Sequence, residues 1–545
     1  MCGIVAVFGD VDGNVAAAAE SAAARLAHRG PDGSGLWMRL GSAVLCHRRL
    51  AIMDPAQGKQ PIRGRDGAAV VHNGEIYNFR ALAEALAATG RRCVSGSDSE
   101  VLAHLYEERG EACVEALDGI FAFAAVHGDD WMVARDPIGI KPLYYGRDRA
   151  GNLWFASELK ALIDNCVSFE VFPPGHLMSR SGGLRRWYAP PWLRGEPGEP
   201  GDPAQLRRSL SDAVEKRLMS DVPLGLLLSG GLDSSLIAAL ATRLVRARDA
   251  RAEIHSFAIG VAKDSPDLRA AREVAQFLGT THHEVSFRVE DGIAALDDII
   301  RHVESYDIPT IRASTPMYFL SRYISDLGVK VVLSGEGSDE IFGGYLYFYY
   351  AEDPQELQRE TVARVANLHL SDVLRADKST MAHGVEARVP FLDLKFLDLA
   401  MSLPPELKQP RGAGRGGEAR VEKWILRQAF ADDADPLLPS SVLWRQKEQF
   451  SDGVGYGWVD GLRAHAERVV SRRELAQAAE RFPYATPATA EAYVYRDRFA
   501  ALFPGEHAAR CIVRWEPRWQ TDSDTSGRAN PFHRAAGEGA RRLTG

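Results

Sequence analysis

The sequence predicts two fold classes in series: a layered α+β half, followed by an α/β half built on a parallel sheet. Three observations predict this. Up to Tyr188, short strands are mixed with helix pairs, the pattern of sheets packed between helices. From Leu224 onward, strands and helices alternate one for one, the βαβ pattern of a parallel sheet. Between the halves, residues 189–203 are rich in Pro, Gly and Glu, lack an apolar period and read as a connector. The domains expected are therefore residues 2–188 and 204–519, with 520–545 as a polar, Gly-rich, disordered tail.

Bulk properties remove several classes. A chain of 545 residues is long enough for two or three domains with sizeable cores. The net charge is −8 with both signs interspersed, which points to neither nucleic acid nor a membrane surface. Six scattered cysteines form no Cys-x-x-Cys pair. That argues against zinc and against a disulfide framework, and favours a reducing cytoplasm. No apolar run approaches a membrane span, and the short apolar start lacks the basic flank of a signal peptide.

In the first half, residues 4–8 read as a strand and 16–26 as a helix. Strands are expected near 43–46, 68–72, 121–126, 131–134 and 153–156. Asn78 is expected to cap a helix ending at Gly90. Ser97 and Glu100 form the pattern of a capping box for a helix ending at Gly110.

In the second half, Asp202 and Pro203 open a helix as cap and first residue. Its buried stripe is Leu206, Leu210, Val214 and Leu218. Strands follow at 224–228, 254–259, 283–287 and 330–333. Ligands of such sheets bind beyond the strand C-termini, and the informative segments fall there. After the first strand comes Ser229-Gly230-Gly231-Leu232-Asp233-Ser234-Ser235. Two glycines bring bare amides close to an anion, the helix start adds its positive dipole end, and the serines donate hydroxyls. Asp233 would repel phosphate unless a cation sits between them, which implies Mg²⁺. The Walker pattern needs Lys and Ser/Thr after its last glycine, and Leu232 and Asp233 stand there instead. Ile259-Gly260 ends the second strand, where a backbone contact to adenine is expected. Ser334-Gly335-Glu336-Gly337-Ser338-Asp339-Glu340 follows the fourth. Asp339 offers a carboxylate for a cation that bridges to phosphate, and Glu336 one to accept a proton or orient an amine.

Position 2 is the other informative place. Met before Cys is normally trimmed, and Cys2 then carries a thiol and a free α-amine. That amine has a pKa of about 7.7–8.0, so part of it is a base at neutral pH, and nucleophile and base share one residue.

Met-Cys2-Gly3-Ile4, His28-Arg29-Gly30-Pro31-Asp32, Arg48-Arg49-Leu50-Ala51-Ile52, Asn73-Gly74-Glu75-Ile76-Tyr77-Asn78 and Gly96-Ser97-Asp98 together resemble the class II glutamine amidotransferase domain. The resemblance covers nearly all of residues 2–188 and implies a four-layer αββα fold of the N-terminal-nucleophile hydrolases. By position it makes Cys2 the nucleophile and makes Asn73 and the Gly74 amide the oxyanion hole. Arg49 anchors the α-carboxylate of glutamine, and Asp98 accepts its α-ammonium. Glu75 and the backbone of Leu50, Ala51, Ile52 and Met53 complete the pocket. Taken alone, Asn73-Gly74 would read as a hairpin turn and Asp98 as a helix start.

Ser229-Gly230-Gly231-Leu232-Asp233-Ser234 resembles the pyrophosphate loop of the ATP pyrophosphatases. With Arg312-Ala313-Ser314-Thr315, the segment Gly384 to Phe391 and Arg445-Gln446-Lys447-Glu448-Gln449-Phe450, it resembles the synthetase domain of the asparagine synthetases, from about residue 205 to about 515. That resemblance implies ATP contacts at Leu228, Ser229, Gly230, Gly231, Asp233, Ser234, Ile259, Ser334, Gly335 and Lys423. It implies Mg²⁺–pyrophosphate carboxylates at Asp233 and Asp339, and a role for Glu336 in forming and using an aspartyl-adenylate. Arg312 is assigned to a substrate carboxylate. The implied substrates are L-glutamine, L-aspartate and ATP, and the implied assembly is a homodimer. A tailoring amidotransferase acting on another carboxylate is the alternative; relatives that close lactams tend to lose the nucleophile, and Cys2 is present. Two loops complete the reading: the Gly-rich stretch 409–418, and 446–455, a polar loop expected to order over bound substrates.

Overall fold

A computed structural model describes residues 2–196, 200–411, 420–519 and 530–532. The first half holds two six-stranded antiparallel sheets. One runs, edge to edge, Ser168–Val171, Tyr144–Arg147, Leu153–Ala156, Cys2–Phe8, Ala43–Arg49, Gly33–Arg39. The other runs Gly183–Arg186, His176–Ser179, Asp130–Arg135, Gly119–His127, Ala69–Ile76, Ile62–Arg63.

Strand alternation builds the layers. Ile4, Ala6 and Phe8 point into the sandwich and meet Val71, Ala122 and Ala124 of the other sheet. Val5 and Val7, one residue out of phase, pack on Ala16, Ala19 and Ala23 of the helix Gly13–Ala24. On the far side, Phe121, Phe123 and Val70 pack on Val101, Leu102 and Leu105 of the helix Asp98–Arg109. The order is αββα. Because both faces are covered, Cys2–Phe8 is buried at every position, which is why it reads as a continuous apolar run.

The second half is a five-stranded parallel sheet in the order Thr281–Ser286, His255–Gly260, Leu224–Leu227, Val331–Leu333, Glu386–Arg388. The fifth strand is short and charged, so no apolar run announced it. Tyr144–Arg147 and Ser168–Val171, with four residues each, are likewise too short to form an apolar run.

Two capping expectations fail. Glu100 spends its carboxylate on the backbone N–H groups of Val94 and Ser95 rather than on Ser97, so no capping box forms; Ser97 caps alone, through Ser99 N. Asn78 precedes its helix but makes no cap bond, because its amide bridges Ala116 O and Asp118 N. Asp202 does cap, and Pro203–Gln205 forms a 3₁₀ turn leading into Leu206–Arg217. Leu206, Leu210 and Val214 are buried there, and Leu218 is half-buried.

The connector is pinned rather than loose where it is described. Trp192, in the one-turn helix Pro191–Arg194, donates to Asp398 Oδ1 at 2.8 Å, and Tyr188 donates to the same atom at 2.9 Å. Most of the 409–418 loop and of the 520–545 tail lies outside the described residues. Asn530 to Phe532 are described, and Phe532 stacks on Tyr349 with ring centroids 4.8 Å apart. No helix among the described residues is long and apolar enough to cross a membrane. The six cysteines are all free thiols.

The halves meet through buried charge. Arg29, fully buried, donates to Cys2 O, Glu158 and Asp377, at 3.0, 2.8 and 2.8 Å. Lys378 pairs with Glu304 at 2.5 Å, and both Glu304 oxygens accept backbone N–H groups of Leu159 and Lys160. Ions this deep keep their charge only when paired and hydrogen-bonded, as these are.

Candidate active sites

The first site lies where the two antiparallel sheets approach each other. Cys2 stands across from Arg49 in one sheet, and its N–H donates to Asn73 Oδ1 of the other at 2.9 Å. The Asn73 amide is therefore fixed with its other end, Nδ2, buried and without a hydrogen-bond partner. Asn73 and Gly74 are not a turn. They sit inside the strand Ala69–Ile76, paired with Ala122 and Phe121. Gly74 has φ +147°, and a Cβ there would stand 1.9 Å from Ile120 O, so only glycine fits.

The neighbouring carboxylates are short of partners. Glu75 is buried; Oε1 is 3.2 Å from Arg388 Nη2, while Oε2 has no hydrogen-bond partner. Asp98, also buried, accepts from Ile76 N at 2.8 Å. Burial is the main cause that pushes the Asp98 carboxyl up to about 6 and holds that of Glu75 well above the usual range. Both would gain from a cation. Burial also raises the Cys2 thiol, opposed by the Leu50 N–H that points at it. Arg49 donates to the carbonyls of Pro55, Met53 and Asp54, at 2.9, 3.4 and 2.7 Å. It thereby shapes the loop through the buried residues Leu50, Ala51, Ile52 and Met53, and a guanidinium with five N–H donors retains capacity for a carboxylate.

The second site is a cleft at the C-terminal ends of the parallel strands. Leu228, Ser229, Gly231, Asp233, Ser234, Ile259, Ser334, Gly335, Glu336, Asp339 and Lys423 all line it. Gly230 does not. Its φ of +72° turns the loop, and a Cβ would collide with Ala270 and Ala271, so its part is to let the loop lie against the next helix. The helix Leu232–Arg248 starts with no side-chain cap, leaving its first amides to a ligand. Within the loop, Ser229 Oγ and Ser234 Oγ are 3.0 Å apart, and Gly231 N donates to Ser229 Oγ.

The charged groups of the cleft pair with one another. Lys423 Nζ lies 2.5 Å from Asp233 Oδ2 and 2.6 Å from Asp339 Oδ1, and Lys447 Nζ lies 2.6 Å from Asp339 Oδ2. Although burial works against it, these two ammonium groups hold the Asp339 carboxyl down at about 2. Gly344 makes room: a Cβ there would stand 2.1 Å from Lys423 Cε. Arg375 Nη2 bonds both oxygens of Glu336, at 2.8 and 2.9 Å.

Family models match both halves. A glutamine amidotransferase domain model covers residues 1–175, and an asparagine synthase model covers 205–356 and 350–525. The chain is 52% identical to asparagine synthetase [glutamine-hydrolyzing] 3 of Arabidopsis thaliana, over 97% of this chain and 94% of that protein. It is 50% identical to asparagine synthetase [glutamine-hydrolyzing] of Asparagus officinalis, over 97% and 92%. The chain belongs to the asparagine synthase family.

One expected residue is placed elsewhere. Arg312 does not line the cleft; its guanidinium is bound by buried Glu491 at 2.7 and 2.5 Å. It ties the helix Ile308–Asp326 to Ala490–Leu502. In the 446–455 loop Lys447 pairs with Asp339, and Arg445, just before it, pairs with Asp267. Arg375, Lys447 and Arg388 were not singled out from the sequence. The signal for Arg388 was a Glu-Ala-Arg triplet between apolar residues, too short to read as a strand.

Proposed function

We propose that the chain makes L-asparagine, AMP, pyrophosphate and L-glutamate from L-aspartate, ATP and L-glutamine. One observation carries this: identity of about half with glutamine-hydrolysing asparagine synthetases extends across both halves, and both clusters described above are present in one chain.

At the first site, the Cys2 sulfur attacks the glutamine side-chain amide, and the α-amine exposed by loss of Met1 takes and returns the proton. Asn73 Nδ2, buried without a partner, and the Gly74 N–H donate to the oxygen as charge develops on it. Glu75 and Asp98 hold the α-ammonium, and Arg49 the α-carboxylate. Ammonia leaves, and water releases glutamate from the thioester.

At the second site, the backbone amides of the 229–235 loop and the start of its helix hold the phosphates, beside Leu228, Ile259, Ser334 and Gly335. Asp233 and Asp339 would hold Mg²⁺. Asp233 Oδ1 is buried without a hydrogen-bond partner, and the two carboxylates share one lysine, so the donor set fits. When bound, the ion neutralises pyrophosphate charge. An aspartate carboxylate oxygen bonds the α-phosphorus and pyrophosphate leaves. Ammonia then bonds the acyl carbon and AMP leaves. Lys423 stabilises the departing phosphates, and Glu336, oriented by Arg375, takes a proton from the attacking nitrogen.

Ammonia must arrive neutral, because ammonium has no lone pair. A closed passage between the sites keeps it neutral and keeps water from the adenylate. An ammonia scavenger is then expected to leave glutamine-driven synthesis intact. The decisive assay follows aspartate, glutamine and ATP to products. Asparagine and AMP in equal amounts are expected; ADP in place of AMP overturns the reading. The intact mass of the purified chain is expected to lack Met1.

A further inference from the structure

Cys93, Glu100 and His104 lie outside both sites, on the loop and first turns of the helix Asp98–Arg109. One ligand-capable atom from each, the Cys93 sulfur, a Glu100 oxygen and a His104 ring nitrogen, lie within 4.8 Å of one another. Glu100 Oε1 is 3.4 Å from His104 Nε2. Nitrogen and oxygen ligands of one tetrahedral zinc, each about 2.0–2.2 Å from it, stand about 3.4 Å apart, so this pair already has the required spacing. A thiolate at about 2.3 Å from the metal would stand about 3.6 Å from the nitrogen. The sulfur reaches that position by a shift of about 1 Å, which is open to a partly exposed side chain.

Glu100 is held ready. Oε1 accepts from Val94 N at 2.7 Å, and Oε2 accepts from Ser95 N and Ser95 Oγ. These bonds and that from His104 outweigh burial and hold the carboxyl down at about 2, so the group is an anion with a lone pair to spare.

His104 supplies the independent observation. It is 4% exposed, and its Nδ1 has no hydrogen-bond partner. Nδ1 faces Glu107 Oε2 at 3.7 Å, while Nε2 faces Glu100. A carboxylate therefore stands at each ring nitrogen. A cation on Nε2 would leave Nδ1–H to donate to Glu107, the carboxylate–histidine–metal arrangement. Glu107 is itself fixed by Arg91 and by the N–H groups of Asp66 and Ala68.

We propose that Cys93, Glu100 and His104 bind a thiophilic divalent cation of the zinc class, with Glu107 behind the imidazole and water as fourth ligand. On binding, the Cys93 thiol gives up its proton to solvent as its sulfur bonds the cation. Burial pushes that thiol up to about 11, so the metal displaces a proton that is otherwise retained.

Titration of the full-length protein with Co²⁺, followed by absorbance, tests this. One equivalent should raise a thiolate-to-cobalt charge-transfer band that persists in Cys2→Ala and vanishes in Cys93→Ser. Glu107→Gln should weaken Co²⁺ binding about 10–100-fold. Far-UV circular dichroism checks that each variant is folded. In the unaltered protein, Zn²⁺ should also protect Cys93 from alkylation, read by peptide mass spectrometry. No band, a band that survives Cys93→Ser, a band lost in Cys2→Ala, unweakened binding in Glu107→Gln or unprotected Cys93 each overturns the proposal.

Discussion

Around Cys2, buried polar atoms are left over on one strand; around Asp233 and Asp339, most charges pair with one another, and Asp233 Oδ1 is left over. Asn73 Nδ2 and Glu75 Oε2 are buried without hydrogen-bond partners, each on a strand whose ladder fixes it. Lys423, Lys447 and Arg375 instead bind Asp233, Asp339 and Glu336 directly. A buried unsatisfied polar group costs about 1–3 kcal/mol, and a sheet buried on both faces can carry that cost. On the proposed reading, phosphate would compete for the lysines that hold Asp233 and Asp339, whereas glutamine would meet the atoms left over around Cys2.

The largest expected effect separates the two. Cys2→Ala should lower glutamine-driven synthesis by on the order of 10³-fold or more while leaving synthesis from ammonium salts intact. If ammonium-driven synthesis falls equally, the sites are not independent. Asn73→Ala should lower glutaminase kcat by about 10²–10³-fold with little change in KM, because its free donor acts only as charge develops. An effect confined to KM would make Asn73 a ground-state contact. Lys423→Met should do the reverse, lowering synthesis by about 10–100-fold through loss of charge-assisted bonds while glutaminase persists.

The smallest effect is on pH. In the proposed pocket Asp98 would take the ammonium of glutamine in its charged form, and burial raises its pKa to about 6, above its unfolded value. The charged form is therefore present above that pH and lost below it. KM for glutamine should rise about tenfold between pH 7 and pH 5. KM for ammonia, once corrected for its own ionisation, should not follow that rise. A flat glutamine profile would remove Asp98 from the pocket.

Much of the second half was legible because its strands are apolar runs that end on glycine-rich loops. Asp233 and Asp339 stand at those ends, and the sheet brings them within reach of one lysine. Arg312 was misread for a physical reason. An arginine beside a cleft and an arginine bridging two helices have the same local sequence, and its partner Glu491 lies 179 residues away. Asn73-Gly74 shows the converse, since the dipeptide suits a turn and only pairing with Ala122 and Phe121 places it in a strand.

Local pattern alone determined the strand–loop–helix cradle at 229–235 and the division into two fold classes, since each rests on contiguous residues and short-range sterics. Tertiary structure alone decided which charges meet. Arg29 reaching Asp377, Arg388 reaching Glu75 and Lys447 reaching Asp339 join residues that are distant in the chain. Such pairing depends on where folding places burial, and burial sets both the cost of each charge and its need for a partner.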